Sequence, residues 1–282
     1  MMTNAQGRPR ISYDDCGDAG PALLFLPGWC GDRSVFSPLV EAIAPRRRTL
    51  TLDWRGHGAS QRDVPAFGSA ELLEDALHVI EESGAHTVVP AGLSHAGWVA
   101  LELRRRLGPE RVPAVVLLDW MVLGPPPGFT EALAGLQDPN LWVQVRTALF
   151  GMWTEGVDSR RVLDYVESMS AYGYRDWSRA GREIAASFTQ EGSPLDGLHR
   201  LADLGQACPT LHCYAQPGDP AFLAAQQEYA AANEWFTVHR LDARSHFPML
   251  EVPGQMAELI DDFVTSLVGS RPARAVESAL TP

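Results

Sequence analysis

Short apolar runs alternate with segments of helical periodicity along most of the chain. The runs have the length of strands, and several are apolar at every position, as in strands buried on both faces of a parallel sheet. They are residues 22–26, 48–53, 86–90, 114–119, 210–214 and 236–241. The segments between them that predict helices are residues 35–43, 69–82, 96–107, 222–232 and 252–267. This alternation predicts a three-layer α/β fold with right-handed crossovers.

The alternation stops between Leu123 and Gly205. A rigid Gly-Pro-Pro-Pro-Gly segment at 124–128 opens this stretch, which then predicts several helices and no strand. A helical insertion over the strand ends commonly forms a lid that lines a substrate pocket. We therefore predict a core of residues 1–123 and 206–270, a helical cap of residues 124–205 and a loose tail of residues 271–282.

Composition and charge narrow the class of protein. The 282 residues are 45% hydrophobic, which is enough for a sizeable core, and 23 Lys and Arg against 35 Asp and Glu give a net charge of −12. That balance disfavours nucleic acid or an anionic membrane as a partner, since both need a basic face. There is no apolar stretch of eighteen residues and no signal-peptide pattern near Met1. The four cysteines are too few and too scattered for a disulfide framework, so we expect a soluble cytoplasmic protein.

Residues 92–97, Gly-Leu-Ser-His-Ala-Gly, follow a predicted strand and open a predicted helix. This is the arrangement of a nucleophile elbow, in which small residues allow a tight turn that exposes the hydroxyl of Ser94 at the strand end. The backbone N–H groups of Trp29, after the strand at 22–26, and of His95 are placed to form an oxyanion hole. His246, between the last predicted strand and helix, is placed to act as a base.

These features resemble the α/β-hydrolase fold, which implies an eight-stranded, mostly parallel sheet flanked by helices. The fold also implies an acidic partner for His246. Two residues are available: Asp219, after the penultimate strand, and Asp119, at the end of the strand that follows the elbow. Either would orient the imidazole and stabilise its protonated form.

Several segments carry a narrower resemblance. They are residues 27–30, 53–58, 94–98, 118–120, 172–177 and 245–248, with the sequences PGWC, DWRGHG, SHAGW, LDW, YGYRDW and SHFP. Together they resemble the cofactor-free 2,4-dioxygenases that cleave 3-hydroxy-4(1H)-quinolones and release carbon monoxide. In that family the acid follows the strand after the elbow, which favours Asp119 over Asp219. Leu93 and Gly31 depart from the family pattern, in which a histidine can occupy either position. We therefore expect a less polar pocket and a substrate whose ring carries a longer alkyl chain.

The resemblance implies a reaction without metal or cofactor, in which the deprotonated substrate itself reduces dioxygen. His246, oriented by Asp119, would remove the 3-hydroxyl proton of a small aromatic heterocycle. Ser94 would be a hydrogen-bonding contact, and the Trp29 and His95 backbone would stabilise an oxyanion.

The resemblance also implies a pocket wall made of four side chains. The implied wall residues are Trp153, Trp177, Trp120 and Leu93. Two alternatives remain: a serine hydrolase that uses Ser94, His246 and either aspartate, and a ligand-binding member of the fold without catalysis.

Overall fold

In a computed structural model, residues 8–269 are described, and the predicted tail at 271–282 lies outside them. The described residues form a seven-stranded sheet. Its strands are β1 (Tyr13–Cys16), β2 (Ala22–Leu26), β3 (Thr49–Leu52), β4 (Val88–Leu93), β5 (Val115–Leu118), β6 (Thr210–Tyr214) and β7 (Phe236–Arg240). The spatial order is β1-β3-β2-β4-β5-β6-β7. The predicted α/β fold class is confirmed, with seven strands in residues 8–269 where eight were expected.

All neighbouring strands are parallel except β1, which pairs antiparallel with β3. The sequence analysis missed β1 because its residues, Tyr-Asp-Asp-Cys, contain no apolar run. This strand lies at the edge of the sheet, and three of its four residues are exposed, so no buried face imposes a pattern on it. In contrast, every residue of β2 to β6 is buried, which explains why their apolar runs were recognisable.

Eleven α-helices occur in the described residues. They are α1 (Ser37–Ile43), α2 (Ser69–Glu82), α3 (Ala96–Arg111), α4 (Phe129–Leu136), α5 (Trp142–Trp153), α6 (Arg160–Ser168), α7 (Tyr174–Glu191), α8 (Pro194–Asp203), α9 (Pro220–Ala232), α10 (Pro248–Glu251) and α11 (Pro253–Gly269). The bounds of α2 agree with the prediction to the residue. The Glu71 side chain at its third position accepts from the Gly68 backbone N–H, so its start is capped.

The helices α4 to α8 follow one another between β5 and β6 without an intervening strand. They are held to the rest of the molecule by aromatic and polar contacts. Phe188 on α7 lies edge-on to Trp98 on α3, with 6.2 Å between ring centroids. On the same helix Glu183 accepts a hydrogen bond of 2.9 Å from the Ser69 backbone N–H at the start of α2. Through these contacts α7 packs against the first turns of α2 and α3.

Gly97, in the first turn of α3, lies directly against the buried Trp120 ring, and a Cβ atom there would overlap that ring. We expect Gly97→Ala to lower the free energy of unfolding by about 1–3 kcal/mol, because the indole must move within a closely packed core. Urea unfolding measures the change. Gly254→Ala in α11 is the matched control, since no heavy atom lies within 4 Å of the added methyl group. Equal stability of the two variants would contradict the predicted overlap.

Candidate active site

A cavity of about 550 Å³ lies at the carboxyl ends of the central strands, beneath the helices that join β5 to β6. Every residue predicted for the site lines it except Asp219. Those that line it are Trp29, Leu93, Ser94, His95, Asp119, Trp120, Trp153, Trp177 and His246. They come from six separate parts of the chain. Four of these parts follow strands whose carboxyl ends share one edge of the sheet, and Trp153 and Trp177 come from α5 and α7.

Ser94 occupies a strained turn between β4 and α3. Its φ of 53° is in the left-handed region, which residues other than glycine rarely adopt. The turn is held by a 2.8 Å hydrogen bond from the Ser94 backbone N–H to the Leu118 carbonyl and by a 2.9 Å bond from Gly97 to the Ser94 carbonyl. Gly92 must lack a side chain, because a Cβ there would lie 2.6 Å from the backbone of Ala96. This is the geometry of the nucleophile elbow.

Asp119 also has a left-handed backbone, with φ of 43° directly after β5. Its carboxylate is 1% exposed and accepts three hydrogen bonds. Oδ2 accepts from the backbone N–H groups of Ala215 at 2.7 Å and Gln216 at 3.1 Å, and Oδ1 lies 2.7 Å from Nδ1 of His246. The strained conformation therefore places a buried carboxylate between two loops, with all of its donors supplied by the protein.

The imidazole of His246 is fixed on two sides. Since a carboxylate accepts, Nδ1 carries the proton that it donates to Asp119, and Nε2 holds the lone pair. The Trp153 indole lies against the imidazole, with 5.2 Å between centroids and 18° between planes. The His246 backbone N–H also donates to the Trp153 carbonyl at 3.2 Å. The ring is thus held in one fixed orientation, which a general base requires.

Asp219, the alternative acid, has a different task. It precedes α9 and its carboxylate accepts a 2.8 Å hydrogen bond from the Ala221 backbone N–H, as an N-cap residue does. It is exposed and does not line the cavity. The structure therefore joins His246 to Asp119.

The loop after β2 is positioned by side chains that the sequence analysis did not select as site residues. The Cys30 backbone N–H donates to Nε2 of His57 at 3.2 Å. The Tyr172 hydroxyl donates to the Gly31 carbonyl at 3.3 Å, and the Asp32 backbone N–H donates to the Tyr165 hydroxyl at 3.3 Å. Tyr172 lies in the YGYRDW segment noted above and Tyr165 lies in none of the noted segments. Local spacing shows neither contact, because both tyrosines lie more than 130 residues along the chain from the loop that they contact.

The position of Tyr165 explains why residue 31 is a glycine. A Cβ atom on Gly31 would collide with the Tyr165 hydroxyl, and both residues line the cavity. Burial raises the pKa of Tyr172 to about 12 and that of Tyr165 well above its ordinary value, so both hydroxyls keep their protons. A tyrosine from the helical segment therefore fills the space that a larger residue at position 31 would occupy.

The oxyanion donors proposed from sequence have no competing partner within residues 8–269. Neither the Trp29 nor the His95 backbone N–H donates a hydrogen bond there. Both residues are buried and border the cavity together with Ser94. An unpartnered N–H beside a cavity is suited to an anionic oxygen of a ligand.

Within residues 8–269, no group of three or more His, Cys, Asp or Glu side chains is placed to hold a metal ion. None of the described helices combines the length and the apolar character that crossing a membrane requires.

The fold and the site define an α/β hydrolase, and the comparison with known families agrees: the model described as "Alpha/beta hydrolase family" matches residues 23–259. The 2-heptyl-3-hydroxy-4-quinolone dioxygenase AqdC1 of Rhodococcus erythropolis is 38% identical, over 84% of each chain. The 1H-3-hydroxy-4-oxoquinoline 2,4-dioxygenase of Pseudomonas putida is 34% identical, over 90% of this chain and 96% of the relative.

Solved structures give the same relationship. A structure of 1H-3-hydroxy-4-oxoquinoline 2,4-dioxygenase superposes with a TM-score of 0.85 at 35% identity, covering 90% of this chain and 96% of the other. A structure of the enzyme that cleaves the ring of the Pseudomonas quinolone signal, in complex with its product, gives a TM-score of 0.86 at 33% identity, covering 94% and 98%. The chain belongs to the 3-hydroxy-4-quinolone 2,4-dioxygenase family within the α/β hydrolases.

Three buried histidines are kept neutral around the site. Burial lowers the pKa of His57 and of His212 from 6.5 to about 4, and that of His95 to about 3. His57 bonds to the Arg55 carbonyl through Nδ1, and His212 bonds to Gln226 in the same way. They serve as neutral hydrogen-bonding groups that support the loops.

These shifts predict a loss of stability in acid. The pKa of these histidines is lower in the folded protein than in the unfolded chain. Their contribution to the free energy of unfolding is therefore complete above about pH 6.5. It falls as the pH drops toward 4, because the unfolded chain then binds more protons than the folded protein. We expect His57→Gln to lessen the slope of unfolding free energy against pH in this window by about 1 kcal/mol per pH unit. Urea titrations between pH 4 and 7 measure it. His239→Gln, at an exposed position on β7, controls for loss of a histidine as such. An unchanged slope in His57→Gln would contradict the assignment.

Proposed function

We propose that this protein is a cofactor-independent dioxygenase that cleaves the heterocyclic ring of a 2-alkyl-3-hydroxy-4(1H)-quinolone. The products would be an N-acylanthranilate and carbon monoxide. The observation that carries the proposal is the His246–Asp119 pair, 2.7 Å apart, with the Trp153 indole lying against the imidazole inside a mostly apolar cavity. The family relationship supplies the substrate class, since the relatives named above act on 3-hydroxy-4-quinolones.

The first step is removal of the proton from the 3-hydroxyl group. Nε2 of His246 accepts the proton, and the resulting imidazolium keeps its Nδ1–H bond to Asp119, whose negative charge stabilises it. The substrate is left as an electron-rich anion. Such an anion is able to transfer an electron to dioxygen, which as a triplet does not react readily with closed-shell molecules.

Ring cleavage follows from the peroxide formed at ring carbon 2. Its terminal oxygen attacks carbon 4, which gives a bicyclic peroxide with negative charge on the former carbonyl oxygen. The unpartnered backbone N–H groups of Trp29 and His95 are suited to stabilise this charge. The O–O bond and the two bonds of carbon 3 to its ring neighbours then break, so that carbon 3 and its oxygen leave as carbon monoxide.

The helical segment supports this chemistry by excluding water, which would solvate and protonate the anion. We propose that residues 124–205 act as a cap, with Trp153 and Trp177 beside the flat ring and Trp120 and Leu93 completing the wall. Further apolar side chains of the same cavity suit an alkyl substituent at carbon 2. They are Leu133, Leu136, Leu149, Met169 and Ile184.

Ser94 acts here as a hydrogen-bonding contact for the substrate. A nucleophilic serine is activated by a hydrogen bond to its base. The Ser94 hydroxyl makes no hydrogen bond to His246 or to any other residue of the described chain. The same fold accommodates serine hydrolases, and the relatives that are 38% and 34% identical and are named as quinolone dioxygenases favour the dioxygenase.

We also propose a cytoplasmic location, on the strength of the four unpaired cysteines.

The two mechanisms differ in what loss of Ser94 does. We expect Ser94→Ala to keep a substantial fraction of oxygen uptake with a 2-alkyl-3-hydroxy-4-quinolone. His246→Ala should lower kcat by roughly 10²–10⁴-fold, because it removes the general base. An oxygen electrode, coupled to a carbon monoxide assay, measures both variants. Complete loss of activity in Ser94→Ala, together with an acyl-enzyme trapped in the unmodified protein, would return the assignment to a serine hydrolase.

The two aspartates provide a second test. Asp119→Ala removes the partner of His246 and leaves the Ala215 and Gln216 N–H groups without an acceptor, so we expect kcat to fall on the order of 10²-fold or more. Asp219→Ala removes a helix cap and should cost stability alone, about 1 kcal/mol. Oxygen uptake and urea unfolding of both variants measure the difference. The reverse order of activity would place the functional acid at Asp219.

A further inference from the structure

Gln216 stands where three parts of the active site meet. It follows β6, one residue after Ala215, and borders the cavity. In α/β hydrolases the loop after this strand commonly carries the acid, yet here it contributes donors to the acid on the neighbouring strand. The backbone N–H of Gln216 donates to Oδ2 of Asp119 at 3.1 Å.

The side chain of Gln216 joins two further segments. Its Nε2 donates to the Arg244 carbonyl at 2.8 Å and to the Met152 carbonyl at 3.0 Å. Arg244 lies two residues before His246, and Met152 lies in the last turn of α5, directly before Trp153. Carbonyl groups in the last turn of a helix have no partner within the helix and need an outside donor. One amide group therefore connects the loop of the histidine to the end of α5.

The connected groups are the ones that fix the imidazole. Asp119 holds Nδ1 of His246, and the Trp153 ring lies against the face of the imidazole while its carbonyl accepts from the His246 backbone. A shift of either segment would turn the imidazole relative to the cavity. Small errors in the placement of a catalytic group are costly to the rate of reaction.

We propose that Gln216 is the positioning residue of this site, which sets the orientation of His246 by holding Asp119, the histidine loop and the end of α5 in one register. It acts through these groups and does not touch the reacting atoms. The inference rests on the proposed function, because it assigns His246 as the base that accepts the 3-hydroxyl proton.

Two variants of similar side-chain length separate hydrogen bonding from packing. Gln216→Met keeps most of the volume and removes both donors. Gln216→Glu keeps the shape and places carboxylate oxygens against the carbonyl oxygens of Arg244 and Met152, which repel them. We expect kcat to fall on the order of tenfold in the Met variant and further in the Glu variant, with a smaller change in KM. Gln227→Met, at an exposed position on α9, is the matched control and should retain the original kcat.

Binding without oxygen provides the readout that a merely structural role would not move. Deprotonation of a 3-hydroxy-4-quinolone shifts its absorption to longer wavelength, so the spectrum under anaerobic, saturating conditions gives the fraction bound as the anion. We expect this fraction to fall in Gln216→Met and in Gln216→Glu. A structural role alone would lower the melting temperature and leave the anion fraction of the folded protein unchanged.

Each outcome decides the proposal. The proposal would be overturned if Gln216→Met had the same kcat and anion fraction as the unmodified protein. It would also be overturned if Gln216→Glu were as active as Gln216→Met. Failure of the proposed function looks different, because the unmodified protein would then neither consume oxygen nor form the anion. In that event the downfield proton resonance of the His246 Nδ1–H, assigned by its loss in His246→Ala, still tests the positioning. It should broaden or move in Gln216→Met, and an unchanged resonance would overturn the proposal.

Discussion

The carboxylate of Asp119 is almost completely removed from water, and such a group is tolerated only where the protein supplies its hydrogen-bond donors. Here three donors come from two loops: two backbone N–H groups after β6 and the ring of His246 from the loop before α10. To reach them, the backbone of Asp119 adopts a left-handed conformation at the end of β5. The positions of the loop after β6 and of the loop that carries His246 follow from satisfying this one buried charge.

The hydrolase frame suits oxygen chemistry because it already contains what a substrate anion needs. The frame supplies an oriented imidazole, two backbone N–H groups free to contact an oxyanion, and a turn that exposes Ser94 to the cavity. The helices between β5 and β6 add the apolar enclosure. In the proposed reaction, the residue that would be a nucleophile in a hydrolase becomes a binding contact, so a change in the pocket rather than in the fold accounts for the change in chemistry.

The elements recognised in the sequence are those whose burial leaves a clear pattern. Strands β2 to β6 are buried on both faces and appear as apolar runs, whereas β1 is an exposed edge strand with two aspartates and was missed. The helical segment after Leu123 was recognised by the absence of strands. Gly31 was noted as a departure from the family pattern, but its packing against Tyr165 could not be foreseen, because the two residues are 134 positions apart in the sequence.

By itself the sequence determined the α/β class, the nucleophile elbow at Ser94 and the position of His246, since local spacing and hydrophobic period specify strand, turn and helix. From the residues alone it left two acids open, and only the resemblance to a family favoured one of them. Tertiary structure decided that Asp119 contacts His246 while Asp219 caps a helix, because the hydrogen bond joins residues 127 positions apart. It also decided the contacts of Gln216, which depend on two loops and the end of α5 meeting beside the cavity.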